Sequence, residues 1–312
     1  MTTPRILLDC DPGIDDALAL IYLAALHHVG EIELVGVTTT AGNIDVDTTA
    51  RNAAFILSEC GLGEIPVAPG HPVPLKVPLV TTPETHGPAG LGYVTAPDWH
   101  SDYNWRDLWN NSVEQGVQLI VTGPLTNAAL AGVSKFSQMT VMGGAVNYRG
   151  NTTPTAEWNF WVDPHAAKQV FAALRESDSQ ATLCSLEVTE QFLIAPPRLE
   201  RLIAELGEHP VARHLPEILR FYFEFHQEQG EGYQAQIHDL LTCMIALGKV
   251  DFLKHTTTVD VEAESQLLRG TSVADLRGHW DAQANAHVVT AVDIVGAHAE
   301  LTRAAGILAR RV

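Results

Sequence analysis

Four carboxylates, those of Asp9, Asp11, Asp15 and Asp16, fall within the eight residues from Asp9 to Asp16. Two carboxylates about 4 Å apart repel by roughly 4 kcal/mol at an effective dielectric of about 20, so a group this dense calls for a cation or for shared protons. A hard metal ion is the economical solution. The plainer use of Asp15 and Asp16 is as capping acids at a helix N-terminus, which accounts for one of them but not for Asp9 and Asp11 on the preceding side. A second candidate lies far downstream, where His238 and Asp239 head the apolar stretch Leu240–Leu241 in the form of a proton donor beside a metal ligand. Taken alone, Asp239 is more commonly an N-cap and His238 a core or surface histidine. None of the 14 histidines makes an HxH or HExxH pattern, and His27 and His28 fit a solvated helix end, so zinc is not indicated.

Strands and helices must hold these residues in place. Ile6–Leu8 reads as a short buried strand and Ala17–Leu26 as a buried helix, so the acids sit on the strand-to-helix turn made by Pro12 and Gly13. In open α/β sheets that turn is where ligands bind. Ile32–Thr38 reads as a second strand running into Ala41–Asn43 and a helix from Thr48 to Leu57, and Ile65–Ala68 as a further short strand. Gln118–Thr122 ends in Gly123–Asn127, Met139–Met142 ends in Gly143–Gly144, and Thr182–Leu186 and Ala286–Val292 are later strands. The alternation with helical stretches predicts one α/β domain over residues 1–312, an open, mostly parallel, doubly wound sheet flanked by helices. Two regions break the rhythm. A Pro- and Gly-rich loop at about 69–107 carries His86 and is long enough to act as a lid, and a segment at about 196–249 is mostly helical.

Composition narrows the partners. The chain of 312 residues is 46% hydrophobic, ample for a large core, and carries a net charge of −18 with no basic run. A nucleic-acid polymer is therefore an unsuitable partner, because binding a polyanion draws its affinity from Lys and Arg. Cys10, Cys60, Cys184 and Cys243 are widely spaced with no CxxC pair, and no basic-then-apolar leader precedes Ile6, which points to a reduced, cytoplasmic setting. No apolar stretch approaches the roughly 20 residues that span a bilayer, so no membrane partner is expected.

Asp9–Ala17 reads DxDPGxDDA, and that block resembles the signature of the inosine-uridine preferring nucleoside hydrolase family. Thr39–Asn43, Thr85–Gly87, Thr122–Asn127, Met142–Ala145, Asn151–Pro164 and His238–Asp239 resemble later blocks of the same family, in the same order, so the resemblance covers nearly the whole chain. It implies an eight-stranded, mostly parallel sheet, a calcium ion at the bottom of a ribose pocket, and hydrolysis of the N-glycosidic bond of a ribonucleoside. By the same resemblance Asp11, Asp16, Asp239 and the main-chain carbonyl of Thr122 hold the calcium, an oxygen-rich set that suits Ca²⁺. The ribose 2'- and 3'-hydroxyls and the attacking water take the remaining coordination sites. Asp11 is then the general base, and His238, at an ordinary pKa of about 6.5, the acid for the departing base. Asp15 and Asn43 resemble ligands of the 2'- and 3'-hydroxyl side, and Asn151, Glu157 and Asn159 those of the 5'- and 3'-hydroxyls. The Met142 carbonyl is a further ribose contact, and His86 touches the base or helps close the site. Family members are commonly homodimers or homotetramers, so a homo-oligomer is expected.

Other readings of the residues stay open at this point. Glu157–Asn159 by itself reads as an amphipathic strand with Trp158 inward, and Gly143–Gly144 as a tight turn. A magnesium phosphohydrolase of the DxDx type also uses paired acids after an apolar strand, but wants a lysine for the phosphoryl group, and none stands among the strand ends. A non-catalytic nucleoside or ribose binder would keep the metal and pocket without turnover. The stretch Phe225–Gln234 aligns cleanly with neither purine- nor pyrimidine-preferring members. Tyr222, His226, Gln227 and Tyr233 are the candidates for the wall against the base, with Tyr222 and Phe225 equally suited to the core.

Overall fold

A computed structural model describes residues 3–133 and 136–311. Its strands are Arg5–Cys10 (β1), Glu33–Thr39 (β2), Val67–Pro69 (β3), Gln118–Val121 (β4), Met139–Met142 (β5), Ala181–Cys184 (β6), Leu193–Ile194 (β7), Ala235–Gln236 (β8), Phe252–Thr257 (β9), Val259–Val261 (β10), Ser272–Ala274 (β11) and Ala286–Val292 (β12). Eight of them form one sheet in the order β3-β2-β1-β4-β5-β6-β12-β9. Every neighbouring pair in it is parallel except β12 with β9. The small pairs β10-β11 and β7-β8 are antiparallel.

The apolar runs seen in the sequence are buried on both faces of this sheet. Ile6 and Leu8 of β1 pack into one cluster with the helices Ile14–His28, Val46–Glu59, Leu215–Glu228, His238–Ala246 and Ile294–Leu308. Leu7 points the other way, into a cluster with Trp105–Glu114, Thr126–Ala131 and Pro164–Glu176. Strands covered on both sides read as continuous apolar runs rather than alternating ones, which is why β1 and β4 were legible. The helix Ile14–His28 is buried at every position from Ile14 to Leu26, so it too shows no polar stripe.

The chain leaves β1 for β2 and β3 on one side, then crosses back to start β4 on the other side of β1. The sheet therefore has a topological switch point between β1 and β4, where the connections diverge and leave a crevice at the carboxyl ends of the strands. Asp9–Asp11 and Thr122 stand at those ends. The backbone marks the divergence: Thr122 N donates to Asp9 O at 2.8 Å on one side and Thr40 N to Cys10 O at 2.9 Å on the other.

Three features depart from the expected layout. The edge strand β9 is antiparallel and was not anticipated; Leu253–Thr256 is exposed, so it lacks an apolar signal. The loop at 69–107 holds a one-turn helix, Pro83–His86, which packs on the helix Leu215–Glu228. Glu157–Asn159 is not a strand, because Glu157 caps the helix Trp158–Val162.

Candidate active site

The first turn of the helix Ile14–His28 brings Asp15 and Asp16 to the switch point. Asp16 does the work of a capping acid: its Oδ2 accepts from Gly13 N at 3.1 Å, and its Oδ1 accepts from the Thr122 hydroxyl at 2.9 Å. The helix His238–Ala246 then delivers Asp239 from the other end of the chain. Asp15, Asp16 and Asp239 each present a carboxylate oxygen within 4.8 Å of the other two, and all three are buried. Asp11, expected among the ligands, is not one of this trio; its Oδ2 accepts from Asn43 N at 2.7 Å. Asp15, expected only at the sugar, is inside it. The Thr122 carbonyl accepts from Asn159 Nδ2 at 2.8 Å, which leaves one lone pair for a cation.

Burial and mutual repulsion show in the protonation of these acids. Burial lifts Asp16 to about 7, with Asp15 adding to the effect, and lifts Asp15 to about 6. Asp11 and Asp239 rise well above the usual carboxylate range, first through burial and then through Asp16 and Asp15 respectively. Glu157 is lifted to about 7 by burial, although its carboxylate accepts from three backbone N–H groups, those of Gly144, Asn159 and Phe160. A dry cluster of oxygen donors that repel each other is what a hard cation relieves, and with no nitrogen or sulfur donor in the trio it suits calcium better than zinc.

Above the trio opens a cavity of about 440 Å³, within the range of small-molecule sites. It gathers residues that are distant in sequence: Asp11, Asp15, Asn43, His86, Thr122, Met142, Asn151, Glu157, Asn159, His238 and Asp239 all line it. Of the residues expected to bind metal or substrate or to act in the chemistry, Asp16 is not among its lining. Asn43 Nδ2 donates to the Asp11 carbonyl at 3.1 Å, while Asn151, at the exposed mouth, accepts from Trp158 N at 3.0 Å. Asp9 is separate. Its Oδ1 accepts from Thr38 Oγ1 at 2.6 Å and Asn127 Nδ2 at 2.8 Å, tying β1 to β2 and to the helix Thr126–Ala131 after β4.

Close approach explains two glycines. Gly13 has φ −95°, open to any residue, but a Cβ there would stand 2.5 Å from His86 Nδ1 and 2.7 Å from Asn43 Nδ2. At Gly42 a Cβ would meet Asp11 Oδ2 at 2.1 Å. Both glycines are space for the site rather than turn-formers.

Three histidines line the cavity, and all were named from the sequence, His226 as one of several candidates for the wall against the base. His86 Nδ1 accepts from Ile14 N at 3.1 Å, so its neutral ring carries the proton on Nε2. His238 Nδ1 lies 2.8 Å from the Thr189 hydroxyl. Burial lowers both to about 3, with His226 adding to the effect on each, so His238 is neutral at pH 7 rather than titrating near 6.5. The third, His226, is buried, and Tyr222 and Phe225 line the cavity with it. Gln227 is exposed and Tyr233 packs on Phe223 away from the cavity, so these two candidates for the base wall are not part of it.

An open parallel sheet with an acidic trio and a polar cavity at its switch point has the form of an α/β enzyme that works on a small, hydroxyl-rich molecule. Residues 6–298 match the family described as Inosine-uridine preferring nucleoside hydrolase, and the chain belongs to that family, among the hydrolases of N-glycosyl compounds. It is 37% identical over 307 residues to a pyrimidine-specific ribonucleoside hydrolase RihA of Shewanella baltica, covering 94% of this chain and 93% of that one. It is 31% identical over 303 residues to the inosine-uridine preferring nucleoside hydrolase of Crithidia fasciculata, covering 93% of each. The solved purine-preferring ribonucleoside hydrolase from Gardnerella vaginalis superposes with a TM-score of 0.87 at 26% identity, covering 99% of this chain and 100% of that one.

Proposed function

We propose that the protein hydrolyses the N-glycosidic bond of ribonucleosides, releasing ribose and the free base, with calcium in the acidic trio. The observation that carries the reading is a buried three-carboxylate cluster beside a cavity lined by amide, carboxylate and histidine side chains from distant parts of the chain. Asp15, Asp16 and Asp239, with the Thr122 carbonyl and Asp11 at the margin, are the residues to hold the ion. Such an ion offers coordination sites to sugar hydroxyls and lowers the pKa of a water.

The protein's own groups account for the rest. Asp11, held by Asn43, takes the proton from the attacking water. As the bond to the base breaks, positive charge spreads over the ribosyl ring, and the surrounding carboxylates stabilise it. Asn43 and Asn159 each spend their amide nitrogen on a main-chain carbonyl, which leaves both amide oxygens to accept sugar hydroxyls. Asn151 spends its oxygen on Trp158 N and keeps its amide to donate at the mouth. Glu157 accepts from three backbone donors, two on Oε2 and one on Oε1, so it shapes this wall and keeps one lone pair on Oε1 for a sugar hydroxyl. The Thr189 hydroxyl is closer to His238 Nδ1, at 2.8 Å, than to the Ser185 carbonyl, at 3.3 Å. Donating along the shorter contact, it leaves the His238 proton on Nε2, where the neutral ring can donate a hydrogen bond to the leaving base. The test is ribose release from a panel of purine, pyrimidine and nicotinamide ribosides, with calcium and with a chelator. Release that calcium restores after chelation is expected; no release from any riboside would overturn the reading.

A further inference from the structure

His226 was only one of several candidates in the sequence, yet its setting is unlike that of the other two histidines. Its Nδ1 lies 2.7 Å from Glu231 Oε2. Glu231 also accepts from Gln236 Nε2 at 3.1 Å and faces Arg149 at 3.4 Å, so it is surrounded by donors and acts as an ionised acceptor. The shared proton therefore sits on His226 Nδ1. That leaves Nε2 with a lone pair, and among the described residues Nε2 is a buried atom without a partner. The ring lines the cavity, with the Tyr222 ring at 4.5 Å and the Phe225 ring at 5.3 Å. A buried acceptor left unpaired is costly, and a ligand that supplies a donor removes that cost.

We propose that His226, fixed in its Nδ1–H form by Glu231, is a specificity-determining residue that accepts a hydrogen bond from an N–H donor on the base. This rests on the nucleoside hydrolase reading and names its substrate class: bases carrying a ring imide N–H or an exocyclic amine on the edge remote from the sugar. Burial lowers the His226 pKa against the upward pull of Glu231, in keeping with a neutral ring. His86 presents the opposite pattern, an N–H donor at Nε2, so the two imidazoles on either side of Tyr222 offer one acceptor and one donor. Sites built to bond a polar group reject analogues lacking it far more strongly than apolar sites reject a methyl group.

The test compares nucleosides with their N-methylated analogues, uridine with 3-methyluridine and inosine with 1-methylinosine, by kcat/KM. The wild-type protein should favour the parent of whichever pair it hydrolyses by about 100-fold or more. His226→Phe keeps a ring in place but removes the acceptor, so the parent should fall toward the methylated analogue and the ratio to within about 3-fold. Glu231→Gln lets the amide donate to Nδ1, which moves the ring proton to Nε2; the parent should again lose its advantage. A ratio that stays near the wild-type value in both variants overturns the assignment and makes the discrimination steric, and a wild-type ratio near one overturns it outright. Absence of ribose release from every wild-type substrate would instead refute the underlying function.

Discussion

Stripped of its ion by a chelator, the protein should lose stability as pH rises. Asp15, Asp16 and Glu157 ionise in the fold at about 6, 7 and 7, against ordinary values of 3.8, 3.8 and 4.5, because they are buried. With each folded pKa raised, the folded chain keeps protons that the unfolded chain has released. Their contribution is therefore fully present below the unfolded values and is lost as pH climbs through 6 to 7. A group protonated in the fold and ionised in the unfolded chain changes stability by about 1.4 kcal/mol per pH unit. Three such groups give a fall of up to roughly 4 kcal/mol per unit between about pH 5 and 6, which His86 and His238, neutral in the fold at about 3 against an ordinary 6.5, oppose by up to roughly 2.7 kcal/mol per unit, leaving a net fall of roughly 1 kcal/mol per unit against a total stability on the order of 5–15 kcal/mol. Calcium favours the ionised forms, so with the ion bound the slope should flatten and the stabilisation by calcium should grow from about pH 5 to about pH 8. Urea unfolding followed by circular dichroism, with calcium or with chelator at each pH, measures both. A chelated protein whose stability is level or rising across that range would refute the account of the acid cluster.

Further perturbations separate the roles within the site. Asp11→Asn should lower ribose release by about 100-fold or more in a folded protein, and near-normal turnover would remove Asp11 from the role of base. His238→Ala should cost about 100-fold on ordinary nucleosides but only a few-fold on a p-nitrophenyl riboside, whose leaving group needs no proton; equal losses would exclude His238 as the donor. Gly13→Ala should leave the thermal midpoint within a few degrees, since its backbone angles admit alanine, yet lower kcat/KM by about 10- to 100-fold by displacing His86 and Asn43. Unchanged kinetics in that variant would show that neither position matters.

The parts of this site that could be read beforehand are those whose local chemistry is conspicuous. Four acids after an apolar strand, and a His-Asp pair before an apolar helix, stand out because the flanking segments are buried on all sides and leave no other reason for charge. The grouping within the cluster was less visible. That Asp15, Asp16 and Asp239 lie closest together, while Asp11 Oδ2 accepts from Asn43 N across 32 positions, is set by contacts between segments distant in sequence. His226 could not be distinguished from its neighbours on a polar helix end, because its meaning lies in Glu231, beyond the end of that helix at Glu228. Glu157 read as part of a strand since the aromatic run Trp158–Trp161 suits a strand as well as a helix; the cap it makes to Asn159 N and Phe160 N decides the matter. The edge strand β9 escaped notice because its exposed side chains carry no burial pattern.

The trio also sets a time at which the protein becomes itself. Asp15 and Asp16 leave the ribosome near the start of synthesis, and Asp239 more than two hundred residues later, on a helix that ends at Ala246. Until that helix docks against Ile14–His28, the early acids have no third partner, and a nascent chain has no reason to capture the ion. Capture of a cation by the trio would thus wait for that helix, at a stage when β9 and β12 of the sheet are still to follow. A chain truncated before the second acid-bearing helix would lack the site altogether, however well its first strands had paired. Once the site is closed, a cation held there would join segments that an unfolding chain carries far apart.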